Sequence, residues 1–164
     1  MTNFIIKVLV FLLMLFPNSA YLQGQYQLTV FDNAATRNSI TEAIKTRNVD
    51  ALEAMMCQNI KKNVDDLPGE IVALIDTIDG EIIEWDWDPG SEYDGSKYGK
   101  QIKSTGWDGQ IDTTNTTYFM VIKWEVANNF APGEMGMRRI AIFDKDREML
   151  AEIRATEGVG GWHD

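Results

Sequence analysis

The sequence predicts an α+β fold in which about three N-terminal helices pack on one face of a curved antiparallel sheet of about four strands. Apolar residues recur at helical spacing as far as Gly80, and beyond it the period changes to the alternation of strands. The helices also come as a block before the strands instead of alternating with them, which separates this pattern from a parallel α/β fold.

The first 20 residues read differently from the rest. Met1 to Lys7 supplies one positive charge, residues 8–16 (VLVFLLMLF) form an unbroken apolar run, and Pro17, Asn18, Ser19 and Ala20 close it. A bilayer needs about 18 to 20 apolar residues, so this run suits a signal-peptide core, with cleavage expected after Ala20. The competing reading is a membrane anchor or amphipathic helix, since Phe4, Ile5 and Ile6 lengthen the apolar stretch. The leader ends without a cysteine, so a free, extracytoplasmic protein is expected, secreted or held in the cell envelope, with no lipid anchor and no membrane association after cleavage. The expected organisation is a signal peptide over 1–20, a polar lead-in over 21–30, a single domain over 31–156 and a flexible tail over 157–164.

Composition bounds the partners. The 164 residues are 45% hydrophobic and 24% charged, enough to bury a core. The formal charge is -10, and losing Lys7 with the leader takes it to -11. Such a surface repels phosphate backbones, which argues against nucleic acid as a partner. Cys57 is the sole cysteine, so no intramolecular disulfide forms, and its setting in Ala54-Met55-Met56-Cys57 is that of a small buried hydrophobe.

From Phe31 to Thr46, the residues Phe31, Ala34, Ala35, Ile40, Ala43 and Ile44 give a first helix. Asn48 is placed to cap a second, with Val49, Leu52, Ala54, Met55 and Met56 on its apolar face up to about Gln58. A charged loop is expected over 61–66. Asp65 or Asp66 then caps a third helix that tolerates Pro68 in its first turn and carries Ile71, Leu74, Ile75 and Ile78 on one stripe, until Gly80 ends it. Residues 81–88 (EIIEWDWD) alternate Ile83, Trp85 and Trp87 with Ile82, Glu84 and Asp86. Asp88-Pro89-Gly90 reads as a turn, and residues 98–112 as a strand broken by Gly106 and Gly109. The clearest strand is 116–127, with Tyr118, Met120, Ile122, Trp124 and Val126 on one face and Lys123 and Glu125 on the other. A turn over 128–133 leads to a partner strand over 135–143, and a last edge is expected over 149–156.

This order of elements resembles the nuclear-transport-factor-two-like, cystatin-like superfamily, and residues 48–55 (NVDALEAM) look like its second-helix entry. Gly80-Glu81-Ile82-Ile83, residues 98–103 (YGKQIK) and residues 118–126 resemble a small family of uncharacterised secreted or lipoprotein domains from Gram-positive bacteria. The resemblance covers about residues 33–144 and implies a sheet bent into a cone, closed by the helices, with a homodimer through the sheet permitted. It carries no activity over. Many of those relatives look like lipoproteins, and this leader departs from them in lacking the cysteine.

A cone lined by Trp85, Tyr118, Met120 and Trp124 would suit an apolar molecule. Large aromatics on the inward face of a sheet are more often packing, and that reading is preferred. Asp86, Asp88, Glu92 and Asp94 crowd one segment, but Gly90 and Lys97 occupy ligand places of the helix-loop-helix calcium pattern, so a solvated loop is expected and no metal or other cofactor. The sole histidine, His163, stands in the glycine-rich tail, a poor platform for acid/base or nucleophilic chemistry. Three functions are expected from these features. The first is an exported module that binds a small molecule, peptide or protein through the concave sheet face or an acidic rim. The second is an isomerase, dehydratase or hydrolase acting through an inward carboxylate such as Asp86 or Glu84. The third is an immunity protein whose acidity neutralises a basic toxin.

Overall fold

A computed structural model describes residues 33–97 and 100–156. The leader, the lead-in and the tail with His163 lie outside the described residues.

Four helices come first: α1 (Asn33–Lys45), α2 (Val49–Met55), α3 (Gln58–Asn63) and α4 (Leu67–Asp76). The α1–α2 corner closes tightly, with the Asn48 amide donating to the Ala43 carbonyl at 2.7 Å and the Asn48 side chain accepting from the Ala51 amide at 3.0 Å. Asp66 caps α4 by accepting from the Gly69 amide at 3.1 Å, with Pro68 in the first turn. Both caps satisfy amides that a helix leaves without internal partners. The sequence placed a loop across the end of α3. That helix is a polar QNIKKN whose one anchor, Ile60, is fully buried, and a single apolar residue gives no period to read.

The strands are β1 (Ile82–Trp87), β2 (Ser91–Lys97), β3 (Lys100–Thr113), β4 (Thr117–Asn128), β5 (Gly136–Phe143) and β6 (Met149–Arg154), with a 3-10 turn (Pro132–Glu134) before β5. They form one six-stranded sheet, all antiparallel, in the order β1-β3-β4-β5-β6, with β2 also paired to β3. The α+β class stands, but six strands replace the expected four or so. The strand that no expected segment covers, β2, arises at Asp88-Pro89-Gly90, which kinks the sheet edge and does not end it. β1 pairs with residues 109–113 of β3 and β2 with residues 100–106. Gly90 lies at φ +85, and a Cβ there would come within 2.4 Å of the Gly106 carbonyl oxygen, so the kink requires glycine. Gly106 and Gly109 lie inside β3 without breaking it.

Directly paired residues of an antiparallel ladder share a face. Trp85, Ile111, Tyr118 and then Trp107, Ile122 and Ile140 therefore lie on one side, the inner face. The helices cover it: Trp107, Ile111, Met120, Ile122 and Ile140 are buried with Ile40, Ile44, Leu52, Ile60, Ile71 and Leu74. The Trp87 indole donates to Thr41 of α1 at 3.0 Å, and α4 packs against β6. Among the described residues, no helix is long and apolar enough to cross a membrane.

Candidate functional site: the outer sheet face and a buried carboxylate

Four of the residues singled out from the sequence share the inner face. Trp85 is half-buried beside Trp87, with ring centroids 5.4 Å apart, and Trp124 is half-buried 6.1 Å from Trp107. Tyr118 is buried, its hydroxyl accepting from the Asp79 amide at 3.0 Å, and Met120 is fully buried. The hydroxyl thus ties the end of the helical layer to β4. Asp86 is separated from all four: it pairs with Gln110 and is exposed on the opposite face, as is Glu84.

That opposite, outer face is divided by charge. At one corner Glu84 pairs with Asp112, Asp86 with Gln110, and Asp108 stands opposite Val121. Thr117 donates to the Asp112 carboxylate at 2.6 Å, and Gln110 to it at 3.1 Å. Among the described residues no ion pair reaches Glu84, Asp86, Asp108 or Asp112. The middle is apolar, with half-buried Phe119 opposite half-buried Phe143 and half-buried Val121 opposite Ala141, which its neighbours bury fully. The Arg147 guanidinium lies 3.4 Å from the Phe119 ring centroid, a cation–π contact. At the other corner Lys123, Arg139 and Arg154 follow one another across β4, β5 and β6, and Glu152 bonds Arg139 at 2.6 Å and Arg154 at 3.5 Å. The basic corner keeps a net positive charge, because one carboxylate serves two guanidinium groups and Lys123 has no ion-pair partner among the described residues.

The second feature is one the strand period concealed. Alternation put Glu125 on the solvent side with Lys123, yet the structure buries it to 4% exposure. Two bulges flank it. Val126 has no register partner on β3, where Glu125 meets Ser104 and Ala127 meets Lys103, and Arg138 is the extra residue of β5 between the partners of Lys123 and Trp124. An unpaired residue bends its strand and re-aims the neighbouring side chains. Asn128 donates to Glu125 Oε1 at 3.0 Å, and Arg138 Nη1 to Oε2 at 3.5 Å. Glu134 lies 3.5 Å from Arg138 Nε, and the Cys57 thiol, also buried, is 4.0 Å from Glu134. Burial pushes the Glu125 carboxyl above its ordinary range. Arg138 opposes this by charge and hydrogen bond, Asn128 opposes it by hydrogen bond, and Glu134 adds to it.

The described residues therefore define an α+β domain whose six-stranded sheet is covered by helices on one side and leaves a charge-divided face on the other. Residues 39–145 match the family described as a domain of unknown function (DUF5104), and the chain belongs to that family. No curated protein matches it.

Proposed function

We propose that the chain is an exported interaction module of nuclear-transport-factor-two-like, cystatin-like build, which docks a protein through the outer face of its sheet, and that the partner this face fits is a second copy. The leader over 1–20 supports export, and the helices-then-sheet order supports the family reading. The observation that carries the docking is the division of the face into an acidic corner, an apolar middle and a basic corner. A two-fold axis lying in the contact plane, across the line joining the corners, sets each acidic corner on the other copy's basic corner. It also stacks Phe119 and Val121 against their own counterparts. Such a surface is self-complementary, as an isologous dimer requires.

The enzyme reading needs an inward carboxylate beside the aromatics, and Glu84 and Asp86 face away from them. The four carboxylates without ion-pair partners favour the immunity reading as second choice, because they would suit a basic toxin. Sedimentation equilibrium on the purified chain is the test: a dimer is expected, and Val121→Arg should make it monomeric while leaving the Tm within a few degrees. A wild-type monomer at micromolar concentration would remove the second copy as partner. Loss of binding to a basic toxin in Asp108→Lys would then assign the face to immunity.

A further inference from the structure

Five pieces of chain meet around Arg138 and its two carboxylates: β4, the 128–131 turn, the 3-10 turn, the bulge of β5 and the α2–α3 junction. Two carboxylates there face one guanidinium. Their side chains are 5% and 16% exposed, and that of Arg138 is 29% exposed. Asn128 reads the carboxyl directly into backbone conformation. Its Nδ2 donates to Glu125, while its Oδ1 accepts from the amides of Phe130 and Ala131 at 3.0 and 2.8 Å. At the far end of the same connection, Glu134 reaches Arg138, which also holds Glu125. The connection over 129–135 is therefore gripped at both ends through one carboxyl. The connection carries Phe130 and Met135, both large, apolar and exposed.

We propose that the Glu125–Arg138–Glu134 knot is a proton-controlled clasp, which holds the 129–135 connection closed when Glu125 is protonated and loosens it when Glu125 ionises. Burial gives the direction. Glu125 is 4% exposed, and the one guanidinium that faces it, 3.5 Å away, is shared with Glu134, so ionised Glu125 is compensated only in part. The charged groups that face Glu125 are Arg138 from β5 and Glu134 from the 3-10 turn. On β3 its register partner is the neutral Ser104, and the Cys57 thiol of the α2–α3 junction faces Glu134 at 4.0 Å. Burial holds the carboxyl above its ordinary range in the closed state. The stabilisation is therefore complete below the ordinary carboxylate range and is lost as pH rises through the closed-state value.

The clasp is tested by hydrogen exchange of the 130–135 amides from about pH 4 to about pH 8, corrected for intrinsic rates, with amides of α1 as the internal control. In the wild type, protection of these amides should fall with rising pH, tenfold for each tenfold by which closure raises the proton affinity of Glu125. Glu125→Gln should abolish that dependence. Glu134→Gln should move the midpoint to lower pH and Arg138→Gln to higher pH. A purely structural role for the knot moves neither. Coincident profiles for wild type and Glu125→Gln would overturn the proposal. Should that variant not fold, the two other variants decide, read by the pH midpoint of exchange of the 130–135 amides. An unchanged midpoint in both sinks the clasp.

Discussion

On β4, Tyr118, Met120 and Ile122 point at the helices and are 6% exposed or less, whereas Phe119, Val121 and Lys123, interleaved with them, point away and retain solvent contact. The inner set is selected by volume: Trp107 and Met120 fill space that nothing else occupies, and Gly109 is small because Trp85 and Trp87 lie over it. The outer set is selected by charge placed in order across five strands. Strand alternation therefore keeps two independent requirements in one segment, one for stability and one for association.

Substitutions that respect or violate this division should rank accordingly. Trp107→Ala removes a fully buried indole and is expected to cost about 3 to 5 kcal/mol in urea unfolding, with Phe119→Ala on the outer face costing far less. Equal costs would erase the distinction between the faces. Gly109→Ala places a Cβ 3.0 Å from both Trp85 Nε1 and Trp87 Cε3, and such overpacking costs about 1 to 3 kcal/mol, visible as a lowered Tm. Asp66→Ala removes the cap of α4, which holds part of the inner layer in place, at about 1 kcal/mol in the same assay. Asp86→Asn, on the acidic corner, should change unfolding by no more than about 0.5 kcal/mol while weakening self-association measurably in sedimentation.

The inner face was legible because its rule is local. Tyr118, Met120, Ile122 and Trp124 alternate within one strand, and Ile71, Leu74 and Ile75 recur at helical spacing, so period alone assigned them. β2 was not legible: SEYDGSK has no apolar alternation and comes after a Pro-Gly turn signal, and it is a strand because the whole segment pairs with residues 100–106. Glu125 escaped because the groups around it, Asn128 at the end of β4, Arg138 of β5 and Glu134 of the 3-10 turn, are not part of the alternation that the strand period reads. The outer charge division escaped for a different reason. Asp108 and Lys123 belong to separate strands, and only the register of β3 on β4 brings them onto one surface. The bulge of β5 leaves Arg138 out of the ladder, and its guanidinium reaches the Glu125 carboxyl, linking the buried knot to the sheet that presents the outer face.

The central claim, that opposite corners of the outer face pair between two copies, is tested most directly by charge exchange. One variant carries Asp86→Lys and Asp108→Lys, and a second carries Lys123→Glu and Arg154→Glu, all at exposed positions. Each alone places like charges at both corners of a homodimer, while a mixture restores attraction at both. Sedimentation velocity should show each variant monomeric by itself and a dimer when the two are mixed. Dimers of unchanged strength in each separate variant, or monomers in the mixture, would contradict the account.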